Sequence, residues 1–259
     1  MFDPEQIRAT TFIRYVEIHD ALGSTNERTT ELACRADIEL PALVVARLQT
    51  AGKGRGRNTW WSADGALTFS LLIDPATTGV QPANWPQLSL ATAVAVCDSL
   101  INEAPQAMLG IKWPNDVVLN GGKVCGILIE SPGGAAPAKD RLIIGIGINV
   151  NNSWRDAPSD VGPNGIALCD VTGRQHDLRL VLCGLLTNVA IRIAQLRNHN
   201  TDLTHDWQRL DLLAGENVIV ESDRRSIEGE VLEIAHDGAL VVETVSGRHR
   251  LYSGSVRVG

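Results

Sequence analysis

A chain of 259 residues, 44% hydrophobic with a formal net charge of −7, is long enough for one large domain and a small one. Its acidity argues against bulk binding to a nucleic-acid backbone, which depends on clustered Lys and Arg. The start, Met1 to Thr10, carries Asp3 and Glu5 in place of a basic-then-apolar leader, and no apolar run reaches the roughly 20 residues that cross a bilayer; a cytoplasmic protein is expected.

Phe12 to Ile18 reads as a strand, followed by a loop from His19 to Gly23. Ser24-Thr25-Asn26-Glu27 has the spacing of a capping box and opens a helix towards Ala36. Leu43 to Leu48 is a short apolar strand that enters the glycine-rich stretch 51–58. Ala66 to Ile73 is a second apolar strand, closed by Asp74-Pro75. Leu88 to Ile101, alanine-rich with helical spacing, predicts a buried helix. Val117 to Glu130 predicts a hairpin about Asn120-Gly121, the dipeptide that best tolerates positive φ in a tight turn. A loop over Ser131 to Asp140, a buried strand over Leu142 to Val150, and helices over Leu178 to Leu196 and Leu203 to Leu213 follow. From Ala214 onward short β-rich pieces alternate with turn signals such as Ser222-Asp223 and Asp237-Gly238, which predicts a small β-barrel. The fold class expected is therefore α+β, a mixed sheet flanked by helices over 1–213 and a small barrel over 214–259.

The five cysteines (Cys34, Cys97, Cys125, Cys169 and Cys183) are odd in number and contain no C-x-x-C pair, so neither a disulfide framework nor a four-cysteine zinc site is expected. The nearest histidines, His199 and His205, make a poor metal pair. Nineteen arginines accompany only four lysines, and three of those, Lys53, Lys112 and Lys123, fall inside motifs. A preference for arginine codons explains the ratio but not the positions.

Gln49-Thr50-Ala51-Gly52-Lys53-Gly54-Arg55-Gly56-Arg57 follows a strand directly. Its glycines let several N–H groups approach an anion, and three cations stand on alternate residues. It is neither a Walker A loop nor a dinucleotide fingerprint, and a basic surface loop is the plain alternative for it alone. In Lys112-Trp113-Pro114-Asn115-Asp116 an ammonium and a carboxylate meet across a rigid turn, fit to hold a phosphate and either Mg²⁺ or an amine. A surface salt bridge is the plain alternative. Lys123 borders an apolar strand in which Gly126 implies close packing against the backbone, and Gly145 and Gly147 imply the same in the buried strand from whose end Asn149 would point a polar group. Ser24-Thr25-Asn26 serves as a helix cap or as a grip on a polar ligand head.

In this order the motifs resemble the biotin protein ligases, over nearly the whole chain. Ser-Thr-Asn at a helix start, Gln-x-Ala-Gly-x-Gly-Arg ending at Trp60, Lys-Trp-Pro-Asn-Asp, Lys-x-x-Gly and Gly-x-Gly-x-Asn all match. The resemblance implies a biotin/lipoate ligase-like catalytic domain followed by a small SH3-like barrel. It implies an enzyme that activates biotin with ATP and Mg²⁺ as biotinyl-5′-AMP, then transfers it to a lysine in the biotin carrier domain of a carboxylase. Ser24, Thr25, Asn26, Gln49, Lys53, Gly54, Arg55, Lys123 and Gly126 match biotin-binding positions. Gly52, Lys53, Arg55, Arg57, Trp60, Lys112, Asn115 and Asn149 match positions for ATP or the adenylate. Lys123, Arg55 and Asp116 are the candidate catalytic residues, with Asp116 also the candidate Mg²⁺ ligand. Relatives occur as monomers and as dimers formed through the sheet, so a homodimer is open.

Three departures stand out. Gly23 replaces an acidic residue common before Ser-Thr-Asn, and Lys53 with Gly56-Arg57-Asn58 replaces a run of arginines. Only about a dozen residues precede the first expected strand, too few for a helix-turn-helix, so a ligase without a repressor function, and no DNA partner, is expected. A lipoate ligase on the same fold, a biotin-dependent repressor and a non-catalytic biotin-binding module are the competing readings.

Overall fold

In a computed structural model, residues 2–80, 84–197, 201–222 and 225–259 are described. His199 and the Asp223 half of the Ser222-Asp223 turn fall outside them. The larger sheet contains β1 (Tyr15–Leu22), β2 (Ala42–Gln49), β3 (Leu67–Ile73), β4 (Leu109–Lys112), β5 (Asp116–Leu119), β6 (Gly122–Glu130) and β7 (Leu142–Ile148). The order is β1-β2-β3-β7-β6-β5-β4, with β1 parallel to β2 and every other pair antiparallel.

Helices cover both faces: α1 (Pro4–Thr10), α2 (Thr25–Ala33), α3 (Pro75–Thr78), α4 (Trp85–Glu103), α5 (Leu168–Thr172), α6 (Leu178–Arg197) and α7 (Thr201–Arg209). The period-2 alternation of strand side chains divides the core in two. Leu43, Val45, Leu71, Ile73 and Ile144 face α4 and the main core, whereas Ala42, Val44, Leu72 and Ile143 face α2 with Leu32 and Ala33. Beyond the sheet come β8 (Asn217–Ser222), β9 (Arg225–Ile234), β10 (Leu240–Thr244), β11 (Gly247–Leu251) and β12 (Ser255–Val258), all antiparallel in the order β11-β10-β9-β8-β12. Among the described residues no pairing joins β11 to β12, so these strands form a sheet without the expected closure.

The hairpin about Asn120-Gly121 is present, with φ of 47° and 86° at the two turn residues. Other expectations need correction. The first strand starts at Tyr15 and runs through the supposed His19–Gly23 loop to Leu22, because pairing with β2 up to Leu22–Gln49 outweighs the polar composition of His19-Asp20. The helix from Ser24 stops at Ala33, and the capping box does not form: the Ser24 hydroxyl accepts no capping bond, and Glu27 turns instead to Lys53. α1 was not anticipated, although Asp3 caps it through Glu5 N (2.9 Å) with Pro4 in its first turn. β4 was also missed. α6 is, by length and composition, apolar enough to cross a membrane, contrary to expectation. Its Val181, Leu182, Leu185, Leu186, Val189 and Ile193 nonetheless belong to the main core, packed on α4.

The position of α2 is fixed at both ends. At its C-terminus buried Arg141 donates from Nη1 to Ala33 O (3.0 Å) and Arg35 O (2.8 Å), satisfying carbonyls that the helix leaves free. Near its start Arg28 donates from Nε and Nη2 to the two oxygens of Glu17 on β1 (2.8 and 3.0 Å). Glu17 is only 14% exposed. Burial pushes its carboxyl upward, but hydrogen bonds from Arg28, His19 and Tyr15 outweigh that and hold it at about 2. Because the folded value lies below the ordinary one, this stabilisation is complete above about pH 4.5 and is lost as pH falls towards about 2. Glu17→Gln should therefore cost on the order of 2 kcal/mol near neutrality, and the gap should narrow steadily in acid. Urea midpoints for both proteins between about pH 6 and pH 3 would check this; a pH-independent gap would contradict it.

Candidate functional site

The face of the sheet under α2 changes character along its strands. Leu72 gives way to Ser70 and Thr68 on β3, and Ile143 to Gly145 and Gly147 on β7. Pairing aligns these into two cross-strand rows, Val44–Ser70–Gly145–Leu128 and Ala46–Thr68–Gly147–Gly126–Asp116. The side chains removed from these rows leave room above the sheet. A cleft of about 170 Å³ opens there, lined by the start of α2, the loop after β2, β6, β7 and Ser255-Val256 of β12.

The close approach read from the glycines is made by the protein's own side chains. A Cβ at Gly145 would lie 2.1 Å from Asn26 Oδ1, and one at Gly147 would lie 2.5 Å from the Trp60 indole, which also borders Gly126. Asn26 is clamped, accepting from Ser70 Oγ (2.6 Å) and donating through Nδ2 to Glu130 Oε2 (2.6 Å). Gln49 Oε1 accepts from Thr25 N (2.7 Å) and lies 3.1 Å from the Thr25 hydroxyl, so the helix N-terminus is capped by a side chain from β2. This leaves the Gln49 amide NH₂ as the donor for a ligand. The Trp60 Nε1–H is buried with no acceptor, a second free donor in the same cleft.

The glycine-rich stretch folds into a small hairpin. Lys53 bridges Thr59, Gly54 N donates to Asn58 O (2.8 Å), and Trp60 N donates to Gly52 O (2.8 Å). Gly56, with φ of +67°, makes the tip. The N–H groups of Gly54, Asn58 and Trp60 are thus used internally and do not converge on an anion, as the sequence had suggested. Arg55 reaches from this tip to Gly254 O, across the cleft mouth to the C-terminal sheet. Burial lowers the affinity of its guanidinium for the proton, and Asp116 opposes that shift.

Four cations, Lys53, Arg55, Lys112 and Lys123, line the cleft against one carboxylate, Asp116. Two cations are already neutralised. Lys53 Nζ lies 2.7 Å from Glu27 Oε1, which raises its pKa through a hydrogen bond. Lys123 Nζ lies 2.7 Å from Asp116 Oδ1, an ionic contact without hydrogen-bond geometry, and 5.9 Å from the Trp60 ring centroid. Lys112 sits opposite Asp116 in the β4–β5 pair and has no ion-pair partner among the described residues.

Of the candidate residues, Ser24, Thr25, Asn26, Gln49, Lys53, Gly54, Arg55, Trp60, Lys112, Asn115, Asp116, Lys123 and Gly126 all line this cleft. Asn115 also clamps β6, donating from Nδ2 to Ile127 O (2.8 Å). Three do not line it. Gly52 supports the base of the hairpin and Arg57 is exposed near its tip. Asn149, expected to point out of the strand end, is 1% exposed and holds Asn152 Nδ2 at 3.0 Å. Sequence reasoning missed Ser70 and Glu130, the pairing of Glu27 with Lys53, and the reach of β12 into the cleft. The hydroxyls Thr68 and Ser70, two apart in an otherwise apolar strand, were the available signal.

Comparison with known proteins accords with this geometry. Residues 21–149 match the biotin/lipoate A/B protein ligase family, and residues 214–259 the biotin protein ligase C terminal domain. The chain is 35% identical to the bifunctional ligase/repressor BirA of Bacillus subtilis over 93% of its own length and 73% of that protein. It is 34% identical to the biotin--[acetyl-CoA-carboxylase] ligase of Mycobacterium tuberculosis, covering 91% of this chain and 85% of that one. The solved biotin protein ligase of Aquifex aeolicus in complex with biotin and ATP superposes with a TM-score of 0.82 at 28% identity, covering 95% of this chain and all of that one. With this agreement in sequence, fold and cleft, the chain belongs to the biotin protein ligases.

Proposed function

We infer that this protein activates biotin with ATP as biotinyl-5′-AMP and transfers it to a lysine in the biotin carrier domain of a carboxylase. The observation that carries this reading is the cleft on the two glycine rows. There an amide-and-hydroxyl cluster suited to a cyclic urea stands within reach of a cationic end suited to phosphate. A buried donor left unpaired by a wrong ligand is costly, so such a cluster selects sharply.

In the first step the biotin carboxylate attacks the α-phosphorus of ATP and pyrophosphate leaves. Two anions must meet, so Lys123, Arg55 and Lys112 lower their repulsion and stabilise the charge that develops at phosphorus. Lys123 exchanges its contact with Asp116 for the incoming oxygens. Mg²⁺, entering with the triphosphate, would be held in part by Asp116, the one carboxylate lining the cleft, and would supply further neutralisation. The hairpin 52–60 covers the mixed anhydride and keeps water from it. In the second step the neutral amine of the carrier lysine attacks the acyl carbon and AMP leaves. Asp116 then orients that amine; its Oδ1, buried and without a hydrogen bond, has an acceptor site to offer it.

We further propose that residues 1–213 form the catalytic domain and that residues 214–259 form a domain of the SH3-like barrel kind, since Val218, Val220, Val231, Leu240, Val242 and Val256 are buried together. The outer edge of β4 is taken by Leu210–Leu212, which leaves β1 as the edge along which a second copy would extend the sheet into a homodimer. The acidic charge and five free thiols fit a cytoplasmic enzyme.

Incubation with biotin, MgATP and a biotin carrier domain should add one biotinyl group by mass spectrometry. Pyrophosphate exchange that depends on lipoate and ignores biotin would overturn the assignment. Lys123→Ala and Arg55→Ala should each lower kcat/KM by roughly 10²–10³-fold with an unchanged urea midpoint, and normal turnover in both would remove these residues from the site. Gly145→Ala should drive Asn26 off Ser70 and Glu130 and raise the KM for biotin at least about tenfold while the protein stays folded. An unaltered KM would show that Asn26 does not contact biotin.

A further inference from the structure

A second aromatic assembly lies outside the cleft, in the loop between β7 and α5. Asp170 pins the start of this loop. Its carboxylate accepts from Ser153 Oγ (2.6 Å), Trp154 N (2.8 Å) and Ala167 N (3.1 Å). Burial raises the affinity of this carboxyl for the proton, yet these hydrogen bonds hold it below the usual carboxylate range. The indole of Trp154 then meets two different parts of the molecule. One is Trp61, edge to face, with ring centroids 5.1 Å apart and planes at 87°. The other is Gly165, where a Cβ would lie 2.1 Å from the ring, so the indole packs directly on the backbone.

Both contacts lead to the site. Gly165 bridges Lys123, whose N–H donates to Asn164 O (2.8 Å) and whose carbonyl accepts from Ile166 N (3.1 Å). Trp61 directly follows Trp60, the residue that closes the lid hairpin on Gly52 and lays its ring over Gly126 and Gly147. An unbroken run of contacts thus leads from the backbone of Lys123 through Gly165, Trp154 and Trp61 to the base of the lid. We propose that Trp154 is a positioning residue, a brace that holds the base of the lid against the strand carrying Lys123. The proposal rests on the functional reading above for its effect on biotin, but its structural half does not.

Trp154 is not among the residues that line the cleft, so its loss changes how firmly the lid sits rather than the chemistry beneath it. The experiment uses the full chain and two readouts. Trypsin cleavage after Arg55 or Arg57 reports lid opening with no substrate present. Steady-state ligation with biotin, MgATP and a carrier domain reports the consequence. Trp154→Ala should be cut at the lid several-fold faster than wild type at an unchanged urea midpoint. It should raise the KM for biotin about tenfold with kcat within about twofold. Trp154→Phe, which keeps an aromatic edge, should recover most of both.

Gly165→Ala displaces the indole without deleting it and should reproduce the lid cleavage, and Trp61→Leu should do so from the other side. These two variants decide the matter if Trp154→Ala does not fold. Lid cleavage and KM both at wild-type values in the variants would overturn the brace. A wild-type protein inactive with biotin would instead sink the functional reading, while the protease result would still decide whether Trp154 braces the lid.

Discussion

The site depends on the absence of Cβ atoms at Gly145 and Gly147. In a strand buried along its whole length, these positions allow the helix start and the lid to descend onto the sheet. Asn26 occupies the space above one glycine and Trp60 the space above the other. The polar cluster on Ser70, Thr25 and Gln49 and the cationic end at Lys123 both follow from that descent. On the opposite face of the same strands the side chains are large and apolar, because there α4 must be packed tightly. One set of strands thus serves stability on one face and recognition on the other.

Electrostatic self-neutralisation is the second principle of the site. Four cations crowded around one cleft would repel one another, and two are held against carboxylates, Lys53 by Glu27 and Lys123 by Asp116. The Lys53–Glu27 pair is half exposed and contributes little to stability. Lys123–Asp116 is more enclosed, with side chains 38% and 25% exposed, so solvent screens it less than the Lys53–Glu27 pair. Arg55, partly buried, bonds a carbonyl and no carboxylate among the described residues, and Asp116 acts on it only through its charge, so an incoming anion would offset its burial.

What could be read from the sequence follows the range of the interactions involved. Asn120-Gly121 is a local constraint, since two successive residues of positive φ specify a tight turn without any neighbour. The glycines of β6 and β7 announced close packing but not its occupants, because Asn26 and Trp60 arrive from distant parts of the chain. The capping box failed for the same reason: a glutamine on β2 satisfied the helix start, and a lysine from the lid drew Glu27 away. β1 extended beyond its apolar run because a paired neighbour imposed strand geometry on His19 and Asp20. Asn149 looked like a ligand at a strand end, yet the following residues fold back and enclose it. The cleft residues were legible through their motifs, whereas Ser70 and Glu130, which hold those residues in place, lie outside any motif, and Glu27 lay in one whose local reading missed its partner.

The bond from Arg55 to the carbonyl of Gly254 joins residues 199 positions apart. Apart from the Lys53–Glu27 pair, it is the hydrogen bond by which the lid is held to the rest of the protein beyond its own hairpin among the described residues. The C-terminal sheet is itself fastened to the larger part by Trp113 Nε1 to Gly238 O (3.0 Å) and Gln87 Nε2 to His236 O (2.7 Å). A catch at the mouth of the cleft is therefore mounted on a separate sheet. Lifting the lid therefore breaks a bond to the C-terminal sheet, so the fastening of that sheet to the larger part bears on how readily the cleft opens.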